Sequence, residues 1–114
     1  VSVPSHSSLL VGAGNALSES LAAADFTSPG VTVVSASDAT PYSDAEDIRV
    51  RLAKQVYQPV QWVQTIMAMR DGGASRLIEC GPGKVLAGLA RRIDRTLAVS
   101  TIDSLDGLHK ALDD

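Results

Sequence analysis

The first side chain that could perform acid–base chemistry is His6, in the opening sequence VSVPSH. Pro4 restricts the backbone ahead of it, and Ser5 and Ser7 flank it. A histidine can take a proton from a hydroxyl or thiol nucleophile and return it to a leaving group. It then needs a nucleophile nearby and a hydrogen-bond acceptor for its second ring nitrogen. No GxSxG nucleophile motif occurs in the 114 residues, so an ordinary loop histidine remains an open interpretation.

Two glycine-containing stretches resemble nucleotide-binding motifs but lack the required spacing. LLVGAGNAL has Leu17 where a dinucleotide-binding fingerprint requires its third glycine. CGPGKV has Ile78 and Val85 where a P-loop requires glycine and a hydroxyl residue. The second stretch instead predicts a strand, a sharp glycine turn and a helix, whose N-terminus could attract an anion.

The other reactive side chains fit structural roles. Cys80 ends an apolar strand, where a buried cysteine behaves as a small hydrophobic residue. His109 lies among polar residues of the last predicted helix and is expected to face solvent. Trp62 is expected in the core or against a partner. We therefore expect none of the three to be catalytic.

The composition is that of a globular domain. Hydrophobic residues make up 45% and charged residues 20%, and the net charge of −3 favours neither nucleic acid nor an anionic membrane as a partner. A single cysteine excludes an internal disulfide, and with only two histidines a zinc site is not expected. Together with the lack of a signal peptide or a membrane-spanning run, this favours a cytoplasmic protein.

Hydrophobic spacing predicts helices alternating with strands. The first helix starts near Ser8, and its two glycines, Gly12 and Gly14, indicate close packing against a neighbour. Ser43 and Glu46 form a capping box for the second helix, and Pro59 is expected to begin the third. The inward-facing residues of these three helices are expected to be Leu9, Leu10, Ala13, Leu17, Leu21, Ala24, Ile48, Leu52, Val56, Val60, Val63, Ile66 or Met67, and Arg70.

Three short strands are predicted at 31–36, 76–80 and 96–100. The third helix stops at Gly72-Gly73 before the second strand. A helix over 84–93 has Val85, Leu86, Leu89 and Ile93 inward, and Asp103 or Ser104 caps a last helix that runs through Leu112. This order predicts an α/β fold with a short parallel sheet and flanking helices. Because three parallel strands leave two open edges, further strands are expected upstream of the chain.

Three motifs carry a resemblance to a known family. VSVPSH, QVYQPVQW and ECGPGKVLAGLARRI, in this order, resemble the C-terminal third of the malonyl-CoA:acyl carrier protein transacylases of type II fatty acid synthesis. The resemblance implies a partial three-layer α/β, hydrolase-like core. Residues 1–114 would be the C-terminal part of the large α/β subdomain of an acyltransferase. The nucleophile-bearing part and a ferredoxin-like subdomain would lie outside the chain, which would then be a piece that is inactive alone.

The resemblance also implies a site and a reaction. His6 corresponds to the general base and acid of a Ser–His pair, and Gln55 to the residue that orients it, through its main-chain carbonyl. The implied reaction transfers malonyl from malonyl-CoA to acyl carrier protein by a ping-pong route, with no cofactor and no metal. Implied partners are malonyl-CoA, acyl carrier protein and the N-terminal part of the same enzyme. Where relatives often have an Asn-Val-Asp-like sequence, this chain has Ser35-Ala36-Ser37-Asp38.

Two alternatives remain open from the residues alone. One is an acyltransferase domain of a polyketide synthase, whose chain would continue past residue 114 into a linker and another domain. The other is a non-catalytic α/β interaction module in which His6 is an ordinary loop residue. A nucleotide-binding half-domain is disfavoured by the incomplete glycine motifs.

Overall fold

The computed structural model describes residues 3–113, which divide into two compact units with the boundary between Thr65 and Ile66. A single 3₁₀ turn, Ser8–Leu10, precedes the first helix. The elements in chain order are α1 Val11–Ala22, α2 Ala45–Gln55, α3 Trp62–Asp71, β1 Arg76–Cys80, α4 Val85–Ile93, β2 Ala98–Ile102 and α5 Leu105–Asp113.

Helices α1 and α2 form the frame of the first unit and approach each other closely at Gly14. A Cβ atom at this glycine would lie 2.6 Å from the ring of Tyr57 and 3.0 Å from the carbonyl oxygen of Ala53. Gly12 has no neighbour of this kind within 4 Å. The close packing predicted from the two glycines is therefore confirmed for Gly14 and wrong for Gly12.

The strand predicted at 31–36 is wrong, because this segment is a loop. Only Val34 forms a bridge, antiparallel to Pro41. Val31 is 75% exposed and pairs with no strand in the part of the chain that the structure describes. β-branched residues favour strands only where a neighbouring strand supplies hydrogen bonds and side-chain contacts.

Helix α2 is capped one residue later than predicted. The side chain of Asp44, not Ser43, accepts a hydrogen bond from the main-chain N–H of Asp47 at 2.9 Å. Asp47 in turn accepts from the main-chain N–H of Ser43 at 3.0 Å. Two aspartates thus perform the reciprocal capping that was expected of Ser43 and Glu46, and they place negative charge at the helix N-terminus.

Helix α3 begins at Trp62, after Gln61, so Pro59 is not its first residue. The carbonyl of Gln61 accepts from both the N–H and the hydroxyl of Thr65. Thr65 and Ile66 are buried, whereas the predicted inward residues Val60 and Val63 are exposed. Arg70, also predicted inward, is half-buried.

The C-terminal end of α3 was predicted correctly. It lies at Gly72-Gly73, where Gly73 adopts a positive φ of 102°. A residue in this left-handed conformation commonly terminates a helix, and it is usually glycine.

The second unit contains a two-stranded parallel sheet, and helices α4 and α5 both contact it. Its register runs from Arg76 opposite Ala98 to Cys80 opposite Ile102. The α/β class and the parallel pairing are confirmed, while the sheet has two strands instead of three. Strand β2 also begins two residues later than predicted, because the N–H and hydroxyl of Thr96 bind the carboxylate of Asp94 in a turn.

The turn between β1 and α4 depends on glycine. Gly81 and Gly83 have φ values of 129° and 92°, which residues other than glycine rarely adopt. Glu79 then reaches forward from β1, and its carboxylate accepts from the main-chain N–H groups of Leu86 (3.3 Å) and Ala87 (2.8 Å). The anion site suggested for this helix N-terminus is therefore wrong, because the protein's own carboxylate occupies it.

The inward face predicted for α4 is wrong for Val85, Leu86 and Leu89, whereas Ile93 is half-buried. Ala87 and Ala90 are buried, whereas Val85 is 72% exposed and Leu86 and Leu89 are exposed as well. Small side chains let this helix approach its neighbours closely.

Helix α5 is capped by Ser104, whose hydroxyl accepts from the N–H of Gly107 at 3.1 Å. Of the two predicted caps, Asp103 and Ser104, the structure therefore shows Ser104.

Candidate active site

His6 lies in the first unit, on the loop that leads into the 3₁₀ turn. Its backbone has a φ of 59°, in the left-handed region that few non-glycine residues adopt. Its main-chain N–H donates to the carbonyl oxygen of Val56 at 2.9 Å. A strained backbone conformation persists only where its surroundings hold it, and such conformations cluster at functional sites.

Two main-chain oxygens hold the imidazole ring. Nδ1 of His6 lies 2.9 Å from the carbonyl oxygen of Gln55 and 3.2 Å from that of Gln58. A carbonyl oxygen can only accept, so these contacts require the proton on Nδ1. In the neutral ring Nε2 is then the unprotonated nitrogen, which is the atom a general base uses.

The Gln55 oxygen is available because helix α2 ends here. Gln55 is its last residue, and the N–H groups of Tyr57 and Gln58 both donate to the carbonyl of Lys54. The last carbonyls of a helix lack partners within it, and His6 binds two of them, those of Gln55 and Val56. This end of a helix also carries partial negative charge, which interacts favourably with a positive ring.

One side of His6 borders an apolar depression of about 320 Å³. Leu17 and Leu21 from α1 line it together with Leu52 and Val56. The imidazole itself is exposed. The ring therefore combines a free Nε2, an apolar flank and exposure to solvent.

The side chain of Gln55 makes a separate contact, with Tyr42. The hydroxyl of Tyr42 donates to Oε1 of Gln55 at 3.3 Å. The guanidinium carbon of Arg51 lies 4.4 Å from the centre of the Tyr42 ring, a cation–π distance. The resemblance named His6 and Gln55, which the structure places in contact, and gave no sign of Gln58, Tyr42 or Arg51; the roles of His6 and Gln55 stay predictions.

Arg51 is anchored by two carboxylates, Asp38 (2.7 Å) and Asp47 (2.8 Å). Burial raises the pKa of Asp38, but hydrogen bonds from Arg51 and Thr40 leave it below its ordinary value. The pKa of Asp47 is lowered mainly by the hydrogen bond from the main-chain N–H of Ser43, and next by the hydrogen bond from Arg51. Asp38, the aspartate of the segment that departs from the resembled family, is thus part of an ion-pair network.

The sequence analysis named three other reactive side chains. Cys80 is exposed, so the prediction that it is buried is wrong. His109 is exposed as expected, and Trp62 is half-buried. Within residues 3–113, no group of three or more His, Cys, Asp or Glu side chains could hold a metal ion, and no helix is long and apolar enough to cross a membrane.

Comparison with known proteins gives a consistent set of relatives. The malonyl CoA-acyl carrier protein transacylase of Salmonella typhimurium is 42% identical over 112 residues, covering 98% of this chain and 36% of that protein. That of Bacillus subtilis is 37% identical over 109 residues, covering 93% of this chain and 34% of that protein. No family model matches the chain.

Solved structures agree with these relatives. The malonyl-CoA:acyl carrier protein transacylase of Xanthomonas oryzae is 41% identical, with a TM-score of 0.94 over 99% of this chain and 36% of that one. A malonyl-transacylase in complex with a type II polyketide synthase acyl-carrier protein is 38% identical, with a TM-score of 0.95 over 99% and 37%. The chain spans about a third of the length of the proteins it matches, consistent with the C-terminal third that its motifs indicate.

Proposed function

We propose that these 114 residues are the part of a malonyl-CoA:acyl carrier protein transacylase that supplies its general base, His6. They would form the C-terminal part of the large α/β subdomain of that enzyme. The observation that carries the proposal is the hydrogen bond from Nδ1 of His6 to the carbonyl oxygen of Gln55, 2.9 Å long. It leaves Nε2 free to accept a proton, and the relatives are transacylases that share this segment.

In the first half-reaction, a serine hydroxyl from the rest of the enzyme gives its proton to Nε2 of His6. The serine oxygen attacks the thioester carbonyl of malonyl-CoA, and a malonyl–serine ester forms as the carbon–sulfur bond breaks. The imidazolium then returns the proton to the departing coenzyme A thiolate. In the second half-reaction the carrier protein's thiol gives its proton to Nε2 and attacks the ester, and the serine oxygen regains the proton as it leaves.

The carbonyls of Gln55 and Gln58 take the place of the aspartate in a Ser–His–Asp triad. They fix the tautomer and orientation of the ring, as that aspartate does. Being neutral, they stabilise the imidazolium less than a carboxylate would, and the C-terminal end of α2 adds a favourable interaction. The proposed reaction uses no metal and no redox cofactor, and we expect it in the cytoplasm.

The test compares His6→Ala with His109→Ala in the complete natural protein. Each variant is mixed with malonyl-CoA, and the malonyl adduct is followed by intact mass against time. General acid–base catalysis contributes about 10²- to 10⁴-fold, so His6→Ala should slow acylation by that order. His109→Ala, which removes the other, exposed histidine, should acylate at the wild-type rate.

Unchanged acylation in the His6→Ala protein would contradict the proposal. A wild-type protein that gains no malonyl group would instead favour the non-catalytic interaction module, in which His6 is a loop residue. The identity of the carrier is tested separately, because one similar structure is a transacylase bound to a polyketide synthase carrier protein. Loading of a fatty acid carrier and of a polyketide carrier should be measured side by side, and faster loading of the polyketide carrier would favour the polyketide alternative.

A further inference from the structure

Tyr42 connects an ion-pair cluster to the residue that holds His6. Its hydroxyl donates to Oε1 of Gln55, and its ring lies under the guanidinium of Arg51. Both contacts lie within the first unit. The ring is therefore fixed on one face and at its polar tip.

The guanidinium of Arg51 is a rigid platform for that ring. Its side chain is only 16% exposed, and its two terminal nitrogens donate to the carboxylates of Asp38 and Asp47. They also donate to the carbonyl oxygens of Pro41 (2.8 Å) and Thr40 (2.9 Å). A planar, multiply bonded guanidinium loses little further freedom when an aromatic ring stacks on it.

Gln55 links Tyr42 to His6 because it contacts both residues. Its side chain is bound by Tyr42, and its main-chain carbonyl binds Nδ1 of His6. It is also the last residue of α2, where helices tend to fray. Fixing the side chain restrains the rotation of the adjacent peptide group, and with it the carbonyl that sets the ring.

We propose that Tyr42 is a positioning residue for His6, acting through Gln55, with Arg51 as the platform for its ring. The inference rests on the proposed function, since it assigns Tyr42 a part in the same proton transfers. Tyr42 does not touch the imidazole. Its effect is to keep the Gln55 carbonyl in line with Nδ1, so that Nε2 is aimed at the nucleophile.

The test is Tyr42→Phe in the complete enzyme, because this change keeps the ring on Arg51 and removes only the hydroxyl. Losing one such hydrogen bond should lower kcat for malonyl transfer about three- to tenfold. KM for malonyl-CoA should stay unchanged, because substrate contacts are not affected. Tyr57→Phe is the matched control. It removes the hydroxyl of the other tyrosine, which bonds no group among residues 3–113, and should leave kcat at the wild-type value.

A second variant, Gln55→Met, keeps the main-chain carbonyl and removes the acceptor for Tyr42. It should lower kcat as Tyr42→Phe does, and the double variant should be no worse than either single one. The inference is overturned if Tyr42→Phe keeps wild-type kcat, if the loss appears in KM alone, or if the two effects multiply. These results differ from a failure of the proposed function, which would appear as normal acylation in His6→Ala.

Discussion

Replacing Gly14 with alanine should loosen the frame that holds His6. The new Cβ would lie 2.6 Å from the Tyr57 ring and 3.0 Å from the Ala53 carbonyl oxygen, so helices α1 and α2 would have to separate or the ring would have to move. Overpacking of this kind costs about 1–3 kcal/mol. Alanine in a helix recovers about 1 kcal/mol of propensity relative to glycine. We therefore expect a net loss of up to about 2 kcal/mol in the free energy of unfolding.

The matched control is Gly12→Ala, two residues earlier in the same helix. Its Cβ would meet nothing within 4 Å, so the propensity gain should stand alone and stabilise the protein by up to about 1 kcal/mol. The assay is urea denaturation followed by far-ultraviolet circular dichroism. With a slope of about 1–3 kcal/mol per molar, the two variants should move the midpoint in opposite directions, together by about 1 M. A Gly14→Ala protein as stable as Gly12→Ala would refute the argument that close helix packing requires this glycine.

Two further predictions concern single residues. Hydrogen bonds from Thr96 and Arg70 lower the pKa of Asp94 from 3.8 to about 2, so its stabilisation is complete above pH 4 and is lost as the pH falls toward 2. In Asp94→Asn the urea midpoint should therefore fall less steeply with pH over that range than in the wild type. A pH dependence equal to that of the wild type would contradict this prediction. Ala39 has a φ of 58°, so Ala39→Gly should raise the free energy of unfolding by about 0.5–1 kcal/mol. A melting temperature below that of the wild type would contradict this. The control is Ala36→Gly, at a residue whose φ is not positive, which should lower the free energy of unfolding.

The elements that were predicted correctly depend on local chemistry. Gly73, Gly81 and Gly83 adopt backbone angles that other residues rarely do, so the helix end and the turn were visible in the sequence. Strand β1 was predicted at its correct bounds because an apolar run stands directly before such a turn. These features need no information about distant parts of the chain.

The errors arise where distant partners decide the structure. The segment at 31–36 has strand-like residues but no strand beside it among the described residues. In α4 the larger apolar residues were expected inward, yet Ala87 and Ala90 are the buried ones. The cap of α2 is a local error of one residue: Asp44 accepts from the N–H of Asp47, and Asp47 binds the Ser43 N–H that Glu46 was expected to bind.

The candidate site was only partly accessible from the sequence. His6 was visible as a residue type, but its contact with Gln55 joins positions 49 apart and came from the family resemblance, not from spacing. Arg51 lies four residues after Asp47, a helical ion-pair spacing that could have been noticed. That Tyr42 reaches Gln55 depends on the loop conformation before α2, which no periodicity reveals.

The measurement that tests the central claim most directly is the tautomer of His6. A long-range proton–nitrogen correlation spectrum of protein labelled with ¹⁵N-histidine, recorded with the ring neutral, distinguishes a nitrogen that carries hydrogen from one that does not. The account predicts a protonated Nδ1 and an unprotonated Nε2. The signals assigned to His6 should be absent from the spectrum of His6→Ala. A spectrum with the proton on Nε2 would mean that the Gln55 and Gln58 carbonyls do not hold the ring, and that His6 is not set to act as a base.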